Sequence, residues 1–140
     1  MLGSTLRRLP LVLLLLCACA RPEGEGAVAV ALPGVARTLT QVELAGMPVA
    51  EVTLHERTYT GVRLRDLLAA LAADADAPLQ ASAADGYAQA LAPAVLERDD
   101  ALLAYAVDGG PLPAGEGPLR LVVPGSPGLS LKQLVKLARP

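Results

Sequence analysis

The sequence contains no tryptophan and no phenylalanine, so Tyr59, Tyr87 and Tyr105 are its only aromatic side chains apart from His55. A chain that is 53 % hydrophobic must then build its interior from Leu, Val and Ala, in many small pieces rather than around large rings. Stacking aromatics are nearly absent, the formal net charge is -2, and no basic cluster occurs. Those are the features by which proteins hold nucleic acid, and no nucleic-acid partner is expected. The single histidine removes most imidazole chemistry, because a zinc or copper site needs several imidazole or thiolate ligands. A Ser-His-Asp triad would have to use His55, yet Gly125-Ser126-Pro127-Gly128 lacks the G-x-S-x-G elbow that presents a nucleophile. His55, between polar neighbours Glu56 and Arg57, reads as a solvated side chain. No glycine-rich loop is followed by Lys-Ser/Thr, which excludes the usual phosphate cradle. Asp74-Ala75-Asp76 and Asp99-Asp100 lack the glycine and distal glutamate of a calcium loop and read as surface carboxylates.

Cysteine is scarce as well, and both copies, Cys17 and Cys19, lie in the stretch "LVLLLLCACARP" of residues 11–22. Residues 1–18 have the parts of a secretory leader: Arg7 and Arg8, the apolar run Leu9 to Leu16, and small residues near its end. That run is far short of the roughly 20 residues a spanning helix needs. The quartet Leu16-Cys17-Ala18-Cys19 resembles the bacterial lipobox, which implies cleavage before Cys19 and attachment of lipid to its sulfur. Residues 1–18 are thus expected to be a lipoprotein-type signal peptide. Arg7-Arg8 is followed by Leu9-Pro10, a poor match to a twin-arginine signal. Residues 19–26, rich in glycine and charge, read as a flexible tether, and residues 27–140 as the folded domain. The expected location is the periplasmic face of a bacterial membrane, held there by the lipid on Cys19. No thiol is then left for the domain, and no internal disulfide can form.

Periodicity organises the rest. Residues 27–32 alternate Ala with Val28, Val30 and Leu32, a half-buried strand ended by Pro33-Gly34. Thr40-Gln41-Val42-Glu43 fits a capping box, predicting a short helix to about Gly46. Residues 49–54 predict another strand, followed by the polar turn His55-Glu56-Arg57-Thr58. Leu64, Leu67, Leu68 and Leu71 fall on one helical face. Asp85-Gly86 separates two short strands in a hairpin, residues 93–98 allow one helical turn, and residues 101–107 and 119–123 predict apolar strands. The fold class is α+β, a mixed β-rich single domain with a few short helices.

Four segments carry a family resemblance: "YTGVRLRDLL" (59–68), "ADGYAQAL" (84–91), "DDALLAYAVDGGPLPAGEGPLRLVVPG" (99–125) and "SLKQLVKL" (130–137), with "LTQVELAGMPVAEVTL" (39–54) matching more loosely. In this order and spacing they resemble the oxidoreductase molybdopterin-binding domain, which implies the sulfite-oxidase-type fold. Catalytic members of that family hold molybdenum through one cysteine thiolate and the paired sulfurs of the pterin. The resemblance places that cysteine just after the strand at residues 51–54, where this chain has His55-Glu56-Arg57-Thr58 and no cysteine. It also implies that Arg120 and Lys132 match family positions near the cofactor phosphate, although Gln133 stands where the family carries an aromatic. The expectation is a domain that has lost the molybdenum ligand, a pseudoenzyme with no metal and no bound cofactor, serving as a binding or interaction module. Two alternatives stand beside it. One is a redox subunit of a molybdopterin-dependent oxidoreductase that still binds cofactor. The other is a structural lipoprotein that docks a membrane redox complex or a periplasmic redox protein.

Overall fold

The computed structural model of the chain describes residues 26–140; the expected leader, Cys17, Cys19 and nearly all of the tether lie outside the described residues. Ten strands form two five-stranded sheets. In the first sheet the order is β2-β1-β10-β5-β6, built from β1 (Ala27–Leu32), β2 (Val35–Thr40), β5 (Leu79–Ala83), β6 (Ala88–Leu91) and β10 (Leu134–Ala138). Only β1 and β10 run parallel, so the first and last strands lie side by side at its centre. The second sheet runs β3 (Ala50–Leu54), β4 (Arg57–Arg63), β7 (Leu102–Val107), β8 (Gly110–Pro111). Strand β9 (Arg120–Val122) also pairs with β7. All of its pairings are antiparallel. Among the described residues three short α-helices, α1 (Gln41–Ala45), α2 (Leu64–Ala70) and α3 (Pro93–Leu96), occupy connections, with one 3-10 turn at Pro127–Leu129.

Local chemistry explains most of these elements. At α1 the Thr40 hydroxyl accepts from the Glu43 N–H while the Glu43 carboxylate accepts from the Thr40 N–H at 2.9 Å, the capping box the sequence predicts. Helix α2 has no side-chain cap and is held by packing: Leu64, Leu67, Leu68 and Leu71 are all buried in the main core. That core collects the inward residues of the first sheet, such as Val28, Val30, Leu39 and Leu137, together with the leucines of α2 and Leu103 and Leu121 of the second sheet. A smaller core lies on the opposite face of the second sheet, formed by Ala50, Val52, Tyr59, Leu102, Ala104, Val107, Leu112 and Val122. Alternate residues of β7 enter different cores, Leu103 one and Leu102 and Ala104 the other. Burial on both faces is why this strand reads as an unbroken apolar run rather than an alternating one.

Three strands depart from the sequence expectation, the shortest of them β8, which falls where the sequence reads as turn and loop. Strand β2 was not anticipated, since only Leu39 of its six residues is buried and an edge strand needs little apolar patterning. Strand β10 has a register shift between Leu134 and Lys136. The extra residue puts the buried Leu134 and Leu137 three apart, which breaks the period-two signal.

The pairing of β4 with β7 depends on Gly61. A Cβ at this position would lie 2.0 Å from the Leu103 carbonyl oxygen and 2.6 Å from the Ala104 Cα, at the irregularity between Thr60 and Gly61 in that ladder. Backbone atoms cannot swing aside as a side-chain tip can. Gly61→Ala should therefore destabilise the domain by about 1–3 kcal/mol or more, read as a lower urea midpoint with an unchanged slope; a midpoint equal to the parent's would show that the two strands separate freely there.

Candidate functional site

Strands β3 and β4 are joined by only two residues, His55 (φ 53°) and Glu56 (φ 68°), the backbone of a type I′ hairpin. Asparagine and glycine usually fill such a turn, because a left-handed conformation costs a residue with a Cβ about 1–2 kcal/mol. The neighbouring turn after β7 uses Asp108 (φ 50°) and Gly109 (φ 83°) in the same way. The two tips are latched together: the Asp108 carboxylate accepts from the Thr58 N–H at 2.9 Å, and the Asp108 N–H donates to the Thr58 carbonyl at 2.8 Å. The polar turn expected at residues 55–58 thus splits into a two-residue turn and the first two residues of β4.

Behind the turn, four side chains from three segments converge. Arg57 and Tyr59 project from β4, Arg120 from β9, and Glu116 from the loop between β8 and β9. The Glu116 carboxylate accepts from Arg57 Nη1 at 2.9 Å through one oxygen, and from Arg120 Nη1 at 2.9 Å and the Tyr59 hydroxyl at 3.3 Å through the other. Arg120 Nη1 also donates to the Tyr59 hydroxyl at 2.9 Å. Both guanidinium carbons lie over the Tyr59 ring, Arg120 at 5.2 Å and Arg57 at 5.4 Å from its centroid, close enough for cation–π attraction. The Arg120 and Glu116 side chains are only 11 % and 14 % exposed, so their attraction is less screened than that of a surface pair. Burial alone raises the Glu116 carboxyl, but the hydrogen bonds from Arg57 and Arg120 outweigh it and hold the group below its ordinary value. Burial pushes the Tyr59 phenol up, against the pull of the two arginine charges.

A cavity of about 240 Å³ opens beside this cluster, lined by Leu54, His55, Arg120, Val123, Pro127 and Ser130 among others. Arg120 is the strongest group in its wall, and its guanidinium is only partly used. The two hydrogen bonds it makes both leave from Nη1, and Nε is buried with no partner. A donor left this way costs about 1–3 kcal/mol. The Ser130 hydroxyl is committed elsewhere, accepting from the Val123 N–H at 2.9 Å and donating to the Val123 carbonyl, so His55 and Ser130 do not form a nucleophile pair. No group of three or more His, Cys, Asp or Glu side chains that could hold a metal ion occurs among the described residues.

The two residues singled out by resemblance do not share this cavity. Lys132 is exposed and lines a separate, more open depression of about 390 Å³ with Asp85, Tyr87 and Gln133. Pro127 and Ser130 form the wall between the two. Sequence reasoning did not identify Glu116 as a partner for Arg57 and Arg120. Its four-residue spacing from Arg120 lies in a loop, where that spacing carries no structural meaning, and Arg57 is 59 residues away. The aspartates at 74, 76 and 99 are exposed, as the sequence implies, and Asp100 pairs with Arg98 at 2.8 Å.

A carboxyl whose value is depressed in the folded chain contributes stability that is present above its unfolded value and lost as pH falls through its folded value. For Glu116, with an ordinary value of 4.5, the loss begins near that pH and grows below it. Glu116→Gln should lower stability at pH 7 by about 1–3 kcal/mol and flatten the fall in melting temperature between neutral and acid pH. A melting profile with the parent's acid slope would show that the tie contributes nothing to the folded state.

The comparisons with known proteins agree with this architecture. The family model described as the oxidoreductase molybdopterin binding domain matches residues 22–138. Among solved structures, that of the sulfane dehydrogenase SoxCD from Paracoccus pantotrophus superposes with a TM-score of 0.71 at 21 % identity, over 87 % of this chain. The chain spans 40 % of that protein's length, and the likeness is one of fold. No curated protein matches the sequence. The β-rich domain with two sheets and short connecting helices belongs to the oxidoreductase molybdopterin-binding-domain family, with the sulfite-oxidase-type fold.

Proposed function

We propose that this chain is an exported, lipid-anchored domain that keeps the scaffold of its family but performs no molybdenum chemistry, and that it acts as a binding or interaction module. The observation that carries this reading is the hairpin at residues 54–57. At the end of β3, where the family resemblance puts the thiolate ligand, the chain turns through His55 and Glu56 alone and passes straight into β4. Molybdenum held through a thiolate and pterin sulfurs needs a soft donor, which oxygen and nitrogen side chains do not replace. The donors offered here are an imidazole, a guanidinium and a hydroxyl already bound to backbone, and residues 26–140 contain no cysteine. This donor set does not fit a thiolate-held molybdenum centre. Both cysteines, in this reading, serve export, and Cys19 carries the lipid that holds the domain at the periplasmic face of its membrane.

Protein purified from its native cells, grown with molybdate, should contain almost no molybdenum by elemental analysis and almost no pterin by fluorescence. Values near one of each per chain would overturn the non-catalytic assignment and favour a cofactor-bearing redox subunit. The anchor is tested independently: Cys19→Ser should block lipid attachment and lipoprotein-type processing, and any chain cleaved by another route should leave the membrane fraction. Unchanged membrane association together with unchanged processing in that variant would remove the lipid from the account without touching the domain's chemistry.

A further inference from the structure

We propose that β3 is an interface: its free edge pairs antiparallel with the β3 of a second copy of this chain, about a twofold axis at Val52. The other sheet edges of the domain carry features that discourage such pairing. Strand β2 bears the exposed Arg37, β6 has four residues with Pro93 just beyond it, and β8 and β9 have only two and three residues. Strand β3 is five residues long and contains no proline, and its ladder to β4 runs without a bulge from Ala50↔Gly61 to Leu54↔Arg57. The two-residue turn makes Leu54↔Arg57 a hydrogen-bonded pair, and alternation makes Val52↔Tyr59 and Ala50↔Gly61 the same. The N–H and C=O groups of Glu51 and Thr53 therefore point away from β4, and among the described residues no backbone group outside the ladder bonds to them. A strand laid along this edge gains hydrogen bonds to all four of those groups.

The edge complements itself in one register. With the axis at Val52, all five residues of β3 are paired, and Glu51 faces the second copy's Thr53. An axis at Glu51 would set two carboxylates face to face, which is unfavourable. An axis at Thr53 would run Glu51 against the second copy's His55, whose left-handed backbone (φ 53°) cannot extend a ladder.

Apolar contact agrees with the backbone. Ala50 and Val52 are buried at the margin of the smaller core and Leu54 is half-buried against it. In the Val52 register the two valines meet across the axis and each Leu54 lies against the second copy's Ala50, so the two smaller cores become continuous. Val49 is 58 % exposed and belongs to neither core; it falls beside the tip of the second copy's hairpin and is withdrawn from water there. The inference gives the interaction module of the preceding reading its partner, a second copy, and it holds whether or not a cofactor is bound.

Two variants of the full chain, Glu51→Cys and Thr53→Cys, test the register when made singly and together in one cell, with the parent chain, whose only cysteines are Cys17 and Cys19, as the baseline. Residues directly opposite in a hydrogen-bonded antiparallel pair lie about 5.5 Å apart at Cα, within disulfide reach, whereas two copies of residue 51, or two of residue 53, would lie more than about 7 Å apart. On oxidation with copper–phenanthroline, cells making both variants should form the disulfide-linked dimer at least about tenfold faster than cells making either alone. Thr53→Pro gives an independent reading. The N–H it removes points away from β4, so the domain should stay folded by circular dichroism while sedimentation equilibrium of the full chain in detergent shifts about tenfold or more towards monomer. If the proline variant does not fold, the cross-linking decides. Linking no faster in the mixture than in a single variant, a linked product containing a different protein, or a parent chain that stays monomeric up to roughly 0.5 mM would each overturn the proposal. These outcomes are separate from molybdenum and pterin content, so a cofactor-free protein that does not self-associate sinks this inference alone.

Discussion

One carboxylate organises the open end of the second sheet. Glu116 sits on a loop with no regular structure, yet it bonds to Arg57 and Tyr59 on β4 and to Arg120 on β9, joining segments that share no ladder. The loop before β9 crosses the smaller core, where Leu112 is buried against Tyr59, Val107 and Val122. Hydrocarbon contact alone would hold this loop loosely, because such contact is not directional. The charged hydrogen bonds supply direction. They also fix the orientation of the Arg120 guanidinium, which lines the cavity beside the turn.

That tie depends in turn on how β7 is buried. A strand covered on both faces must have small or apolar residues at every position, and "LLAYAV" meets this condition. Beside it in the same sheet, β4 pairs with β7, and at the irregularity of that ladder the two backbones approach so closely that residue 61 must be glycine. The same arrangement puts Tyr59, two residues before it, at 2 % exposure with its ring in the smaller core and its hydroxyl at the polar cluster. Tyrosine is suited to such a boundary, with an apolar body and one polar end. Phenylalanine would fill the core equally well but leave Arg120 and Glu116 without their shared neighbour.

The legible parts of the fold are those whose pattern is local. The Thr40–Glu43 capping box, the leucine face of α2, strands β1 and β7, and the Asp85-Gly86 hairpin all follow from spacing, and each is present. Strand β2 carries no periodic signal because an edge strand buries almost nothing, and β10 carries none because a bulge sets its two buried leucines three residues apart. Sheet order was beyond pattern reading altogether: β1 lies beside β10 from the other end of the domain, and no local rule pairs them. At the site, the family resemblance points to Arg120, whereas its partners Arg57, Tyr59 and Glu116 are brought together only by the folded chain. Lys132, chosen on the same grounds, lies beyond the wall formed by Pro127 and Ser130.

A scaffold and the chemistry placed on it answer to different constraints. The scaffold here is specified by some thirty buried apolar residues distributed over both sheets and α2, and losing any one of them weakens but does not redirect the fold. A metal ligand on a connecting turn is specified by one residue and the backbone around it. Closing β3 and β4 with His55 and Glu56 alters neither core, since both residues are exposed and the ladder on each side continues in register from Leu54↔Arg57 to Ala50↔Gly61. The residues of this turn are therefore not fixed by the cores, whereas the cluster behind it is rooted in the sheets. Arg57, Tyr59 and Arg120 all lie on strands, and a cation fixed there by the core keeps its position whether or not a cofactor is its partner.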